Sequence, residues 1–293
     1  MLIKLNSENI EKYSHLLYEY FSVLASEIPF YFPVDYETWY QCMFHDCTEE
    51  GTSLFRELET CLLFGNGVLN GFAQYGITSF AFGETGKDFG KHYAVIRNMH
   101  YTKDCKTASE LINTAIEYFN SKDIKEINAF FHYFGMSCYA RHGKLHSSMF
   151  HMEDLLTKNS FIKEHENVYF SLDLFCKNYE DFQEIDIEEQ LPKRNNRNYK
   201  FIYNGTQIGY CSLLLLQNGI SYMTDLEIFD EYRHQGLGFK SMNNLFGILQ
   251  NMNYQKIDLD TIDSNFVAQN FYAKLRFVKK GITRSYVRFK EGN

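Results

Sequence analysis

The run Arg233-His234-Gln235-Gly236-Leu237-Gly238 stands between an apolar stretch ending Leu226-Glu227-Ile228 and a helix-like run from Phe239 to Leu249. Strand, glycine loop and helix in that order constrain this chain more than any other feature. Gly236 and Gly238 carry no Cβ, so the backbone there can lie close against an anion, and the first N–H groups of the helix have no acceptor of their own. Together they form a cradle for a phosphate. Two glycines also suit an ordinary tight turn, so the loop by itself leaves both readings open.

The residues that follow separate these readings. Asp263-Ser264-Asn265 precedes the run Ala268-Gln269-Asn270-Phe271-Tyr272-Ala273-Lys274-Leu275-Arg276-Phe277, and a strand-like stretch from Ile282 to Phe289 closes the chain. This combination resembles the GCN5-related N-acetyltransferase (GNAT) superfamily. Arg233, Gly236, Gly238, Asn265, Ala268, Tyr272, Leu275 and Phe277 match its pattern, while Arg276 stands where the family usually has glycine. The resemblance covers roughly residues 199 to 290.

It implies an α/β fold, an α+β mixed sheet, and acetyl-CoA or another acyl-CoA as co-substrate. The pyrophosphate is then expected on the N–H groups of Gln235, Gly236, Leu237, Gly238 and Phe239, with the helix dipole adding attraction. Arg233 either adds a charge-assisted contact or folds back over the loop. The pantetheine arm is expected along the strand from Leu226 to Ile228, with Asn265 touching the cofactor from the other side or capping its helix. Tyr272 falls at the family position of the general acid; read without the family, it is a core tyrosine beside Phe271 and Phe277. For the general base, Asp260 and Glu227 are both candidates, with Asp225 behind them. Alternation places Leu226 and Ile228 on one face of the strand and Asp225 and Glu227 on the other.

Length and composition set wider bounds. At 293 residues and 45% hydrophobic the chain can bury sizeable cores, and its formal charge of −8 opposes a nucleic-acid partner. The charge mildly favours a cationic substrate; a small-molecule amine is expected as acceptor, with an amino acid or a protein amino group as alternatives. The start Met1-Leu2-Ile3-Lys4-Leu5 is followed by polar residues, and no apolar run reaches a membrane span. A cytoplasmic protein with no membrane partner is expected. The seven cysteines include no C-x-x-C pair, which suits reduced thiols. Oligomeric state cannot be read from these features.

Hydrophobic rhythm organises the rest. Ser7 and the apolar positions Ile10, Tyr13, Leu16, Leu17, Tyr20 and Val23 predict a capped amphipathic helix. A second helix is expected over 36–45, a hairpin over 59–79 with Gly65-Asn66-Gly67 as its turn, and a strand over 92–101. Helices over 108–120 and 151–158 and strands over 124–131 and 168–174 complete a first half. After the polar stretch 177–198, taken as a connection, the strands 199–203, 207–217 and 220–228 form a meander leading to the glycine loop.

The halves align as a degenerate repeat. Tyr101 falls opposite Ile228, Lys125-Glu126-Ile127-Asn128 opposite Gln255-Lys256-Ile257-Asp258, and Leu156 opposite Tyr272. Two GNAT-like acyl-CoA N-acyltransferase domains in tandem are expected, a degenerate one over 1–175 and one with the acyl-CoA site over 176–293. Lys106, Ser109 and Leu111 stand opposite Arg233, Gly236 and Gly238, where side chains would crowd a pyrophosphate. Only the second half is therefore expected to bind the cofactor.

His142 and His146 have an H-x-x-x-H spacing, near His132, His151 and Cys138, but Gly143 disfavours the helix a zinc site needs, and no metal is expected. The function read from these features is N-acyl transfer from acyl-CoA to a primary amine by direct attack in a ternary complex. The alternative is a non-catalytic acyl-CoA-binding sensor or interaction module. An aminoacyl-tRNA-dependent transferase is a further rival, opposed by the acidic balance.

Overall fold

The computed structural model describes residues 1–29, 31–48, 51–79, 92–103, 105–131, 134–136, 143–176, 179–191 and 196–290. In chain order the elements are β1 (Leu2–Lys4), α1 (Ile10–Glu27), α2 (Tyr36–Phe44), β2 (Phe55–Gly65), β3 (Val68–Thr78), β4 (Ala94–Tyr101), α3 (Ser109–Ser121), β5 (Glu126–Ala129), β6 (Leu145–His146) and α4 (Phe150–Lys158). There follow β7 (Ile162–Asp173), β8 (Ile185–Glu189), β9 (Asn196–Tyr203), β10 (Thr206–Leu215), β11 (Ile220–Ile228), α5 (Leu237–Asn251), β12 (Lys256–Ile262), α6 (Phe266–Lys274) and β13 (Val278–Phe289).

The chain folds as two compact units, Met1–Glu166 with Ile282–Asn293, and Asn167–Gly281. As compact bodies they differ from the linear stretches 1–175 and 176–293. The reason lies in the last strand of each sheet. In the first unit the order β1-β2-β3-β4-β5 is completed by the end of the chain, with Tyr286 to Phe289 of β13 antiparallel to Ala129 to Glu126 of β5. In the second unit the order β8-β9-β10-β11-β12 is completed by the later part of β7, with Asn167 to Asp173 antiparallel to Ile262 to Lys256. The strand expected to close the first half thus closes the second sheet, and the strand expected to close the second half closes the first.

Local chemistry explains most elements. Leu17, Phe21 and Leu24 form the buried stripe of α1. Its N-cap position is Asn9, without a side-chain cap bond, and Ser7 does not cap it. Asp35 caps α2 by accepting from the Thr38 N–H at 2.8 Å. Asn66-Gly67 and Asn204-Gly205 turn the two hairpins with all four φ angles positive, which suits the right-handed twist of the flanking strands. The expected connection over 177–198 contains β8, whose Ile185 and Ile187 alternate with acidic residues against β9.

In the second unit α5 lays Leu237, Met242, Leu245, Phe246 and Leu249 against the sheet, where Leu213, Met223, Ile257 and Leu259 meet them. Ile257 and Leu259 point to that helical face, so the two-residue period of a strand sends Asp258 and Asp260 to the other. No described helix is long and apolar enough to cross a membrane. Cys61, Cys105, Cys176 and Cys211 are free thiols. Cys42 is disulfide-bonded, which departs from the expectation that every thiol is reduced.

Candidate active site

The second sheet opens into a fork. Parallel β11 and β12 pair only from Ile220↔Lys256 to Met223↔Leu259. Beyond that, β11 runs on beside β10 to Ile228, and β12 beside β7 to Ile262. The parting coincides with a bulge: Leu213 pairs with Met223 and Ser212 with Asp225, leaving Thr224 as the extra residue. A bulge bends its strand and sharpens the local twist, which turns β11 away from its neighbour.

Backbone groups at the fork lack a strand partner. The Phe229 N–H donates to Ile208 O at 2.9 Å, so that pair is a bonded rung of the antiparallel ladder. Bonded and unbonded rungs alternate, which makes Tyr210↔Glu227 bonded and leaves Cys211↔Leu226 and Gly209↔Ile228 unbonded. The N–H and C=O groups of Leu226 and Ile228 therefore point away from β10, into the fork. Arg233 takes one of them, its Nε donating to Ile228 O at 2.6 Å.

The glycine loop closes the outer end. Gly236 is the N-cap of α5 with φ +79°, a left-handed conformation natural to glycine, and a Cβ there would meet no atom within 4 Å. A Cβ on Gly238 would stand 3.0 Å from Ile228 Cγ1, so glycine lets the helix start lie against the strand. Arg233 folds back over the loop, its guanidinium also pairing with Asp230 and lying 3.9 Å from Glu227 Oε1. The first N–H groups of α5 have no intrahelical acceptor. These features fit an extended ligand ending in a pyrophosphate: free strand backbone for the arm, and a helix start with a Cβ-free approach for the anion.

Tyr272, on α6, is 9% exposed and packs against Phe170, Phe271 and Phe277 with ring centroids 5.7 to 6.0 Å apart. Its hydroxyl makes no hydrogen bond among the described residues. Burial pushes the phenol well above its ordinary pKa, with Cys211, Asp225 and Asp260 adding to the rise. Core tyrosine and proton donor are thus compatible roles, since the phenol stays protonated at neutral pH.

The carboxylates lie across the sheet from the helices. Asp260 follows the last residue of β12 that pairs with β11, and its Oδ1 accepts from Tyr222 Oη at 2.8 Å while Oδ2 accepts from Asn167 Nδ2 at 2.9 Å. It does not end its strand, which continues to Ile262. Asp225 accepts from Tyr210 Oη at 3.0 Å. Glu227 lies farther out on β11, two residues beyond Asp225, near Arg233. Asn265 accepts from the Ala268 N–H at 3.1 Å, the N-cap role.

The first unit has the same fork, shut. β4 and β5 pair only from Ala94↔Ile127 to Ile96↔Ala129, and Arg97 is the bulged residue, as Thr224 is in β11. Tyr101 thereby takes the place of Ile228, the register read from the sequence. Here α4 is latched to the strand: Tyr101 Oη donates to His151 O at 2.7 Å, and His151 Nε2 donates to Tyr101 O at 3.2 Å. Arg97 fills the space beyond the bulge, reaching Phe134 O, Gly135 O, Cys42 O and the Asp46 carboxylate. Every residue of β4 is buried.

His146 lies in β6, its Nδ1 sharing a hydrogen bond with Ser148 Oγ at 2.9 Å, and Lys144 is buried. His132, Cys138, Arg141 and His142 lie outside the described residues. Among the described residues no three His, Cys, Asp or Glu side chains are grouped to hold a metal ion.

A bulged, forked parallel pair followed by a glycine loop and helix defines an acyl-CoA acyltransferase fold. Residues 160–277 match the acetyltransferase (GNAT) family, beginning just before β7 and ending before β13. Residues 160–277 are a GNAT domain, and the whole chain has the fold of tandem GNAT proteins. A tandem GNAT protein from the clavulanic acid biosynthesis pathway superposes with TM-score 0.72 at 11% identity, over 100% of each chain. A GCN5-related N-acetyltransferase from Sphaerobacter thermophilus gives 0.63 at 9% identity, over 100% of this chain and 97% of that one. A GCN5-related glucosamine N-acetyltransferase region of a fungal multi-domain β-N-acetylglucosaminidase gives 0.65 at 11%, over 98% of this chain and 38% of that one. At such identities the likeness is one of fold. No curated protein matches the sequence. The fold supports acyl transfer from acyl-CoA in general.

Proposed function

We propose that the second unit is an N-acyltransferase that moves an acetyl or other acyl group from acyl-CoA to a primary amine by direct attack in a ternary complex. The observation that carries this reading is the fork, where the backbone groups of Leu226 and Ile228 lead from the glycine loop toward Tyr272 and Asp260. When bound, acyl-CoA supplies an activated thioester. Leu226 and Ile228 would hold its arm by backbone hydrogen bonds, as a strand holds its neighbour. The N–H groups of Gln235, Gly236, Leu237, Gly238 and Phe239 would hold the pyrophosphate at the start of α5. Arg233 is engaged with Ile228 O and Asp230, so it serves the loop's shape first. Asn265 caps α6 at the same end of the unit and is free to touch the ligand as well.

Tyr272 and Asp260 approach the fork from opposite faces of the sheet. That division of labour suits acyl transfer, which needs a proton accepted from the amine and another donated to the thiolate. Tyr272 holds its proton at neutral pH and donates it at the phenol oxygen. Asp260 beside the point where the strands part is favoured as the acceptor over Glu227, which lies farther along β11 and close to Arg233. The acidic face carrying Asp225, Glu227 and Asp260 favours a small-molecule amine that arrives as a cation and loses a proton to react.

The test is free thiol release from acetyl-CoA across a panel of amines, with Tyr272→Phe as the companion variant. Amine-dependent release that falls in the variant supports the reading. Measurable acetyl-CoA binding with no release for any amine would instead make the chain a sensor or interaction module.

A further inference from the structure

The sheet face that carries Asp260 holds a second carboxylate and two buried tyrosines in a crossed arrangement. Asp258 and Asp260 stand two residues apart on β12, pointing to the same side. On β11, Tyr222 lies opposite Asp258 in register, yet its hydroxyl donates diagonally to Asp260 Oδ1 at 2.8 Å. On β7, Tyr169 lies opposite Asp260, yet its hydroxyl donates diagonally to Asp258 Oδ2 at 2.7 Å. Asn167, the next residue of β7 on that face, gives its Nδ2 to Asp260 Oδ2 at 2.9 Å. Lys256 Nζ lies 3.0 Å from Asp258 Oδ2. Both tyrosines are fully enclosed, as is Asp258.

The two aspartates therefore differ in what they can do. Asp258 is sealed from solvent, tied to Tyr169 and Lys256. Asp260 is half-buried at the parting of the strands, with Oδ1 held by Tyr222 Oη and Oδ2 by Asn167 Nδ2, both uncharged donors. A carboxylate at the end of two χ angles would otherwise sample several orientations. Donors from β11 and β7, the strands on either side, fix it in one.

We propose that Tyr222 and Asn167 are positioning residues for acyl transfer, holding the Asp260 carboxylate at the fork in its proton-accepting orientation, while Tyr169 and Lys256 keep Asp258 out of that role. This rests on the reading of Asp260 as the base. On its face of the sheet Asp260 has Tyr222 from β11, Asn167 and Tyr169 from β7, and Asp258 and Lys256 from its own strand, with Asp225 farther along β11 and Tyr272 of α6 reaching the fork from the other face. Donation to a carboxylate favours its charged form, so removing a donor raises the midpoint at which Asp260 takes up a proton.

The experiment is a carboxyl-carbon NMR titration of full-length protein labelled at aspartate, with the Asp260 signal identified by its loss in Asp260→Asn. Tyr222→Phe keeps the ring and removes only the donor; it is expected to raise the Asp260 midpoint by about one pH unit, the scale of one charge-assisted hydrogen bond. Asn167→Ala is expected to shift it in the same direction, whereas Tyr169→Phe, which serves Asp258, moves it less. Where acyl transfer is measurable, the acidic limb of kcat/KM follows the Tyr222→Phe shift, and the plateau at higher pH falls as the carboxylate loses its fixed orientation. A merely structural tyrosine would lower the plateau without moving the limb. Unchanged Asp260 midpoints in both Tyr222→Phe and Asn167→Ala overturn the inference, whether or not the chain transfers acyl groups. Shifted midpoints together with an acidic limb that survives Asp260→Asn overturn instead the assignment of the base on which it rests.

Discussion

Replacing Gly236 with leucine separates folding from binding. The residue has φ +79°, and a Cβ there meets nothing within 4 Å, so the fold loses only what a left-handed non-glycine residue costs. That is about 1–2 kcal/mol, or roughly 2–4 °C of melting temperature per kcal/mol. The leucine projects into open space beside the start of α5, where the assignment of the loop seats the pyrophosphate. An anion seated there is displaced, and losing two charge-assisted hydrogen bonds of about 1.5–3 kcal/mol each weakens binding by about two to four decades. Calorimetric titration with acetyl-CoA, beside a thermal melt, reads both quantities on one sample. An affinity within about threefold of the parent protein in a folded Gly236→Leu variant would refute the assignment of the loop. Gly238→Ala offers a milder companion: its Cβ presses Ile228 Cγ1 at 3.0 Å and disturbs the fork from the strand side.

Other outcomes follow from the same geometry. Tyr272→Phe is expected to lower kcat about 100-fold or more while sparing KM for acyl-CoA, since it removes a proton and little packing; steady-state thiol release measures this. Arg97→Met should destabilise the first unit by about 3–5 kcal/mol, because it removes the charge paired with the buried Asp46 carboxylate. The double variant Arg97→Met with Asp46→Leu should recover part of that loss in a thermal melt. Burial holds the His100 imidazole down to about 3, against about 6.5 in the unfolded chain. Its contribution to stability is therefore complete above about pH 6.5 and is lost as pH falls toward about 3, because the unfolded chain binds the proton first. Melting temperature followed over that range should decline, and His100→Leu should flatten the decline.

What could be read from the sequence was mostly local. The glycine loop was legible because Gly236, Gly238 and the helix that follows act through neighbours in the chain. The repeat was legible for the same reason, and the bulges at Arg97 and Thr224 put Tyr101 and Ile228 in the register expected from their order. The strand that completes each sheet was not legible. Tyr286 pairs with Ala129, and Asp260 with Tyr169, across separations that no periodicity encodes. The tyrosines around Asp260 escaped notice likewise, because a diagonal hydrogen bond appears only once the register is known. The alternation Lys256-Ile257-Asp258-Leu259-Asp260 did carry a signal, placing both aspartates on one face. Strand β8 was hidden by the charge of its surroundings, although Ile185 and Ile187 marked its inner side. Ser7 misled as a cap because several polar residues precede α1 and the helix begins at Ile10.

The two forks explain why one copy is expected to bind and the other is not. In the second unit the strand backbone at Leu226 points into the gap between the strands; in the first, His151 and Tyr101 bolt the corresponding edge to α4. Titration of the intact chain with acetyl-CoA tests this most directly. One site per chain is predicted, lost in Gly236→Leu and kept when Lys106 is changed to alanine. Two sites per chain, or a single site that survives Gly236→Leu and disappears in Lys106→Ala, would contradict it.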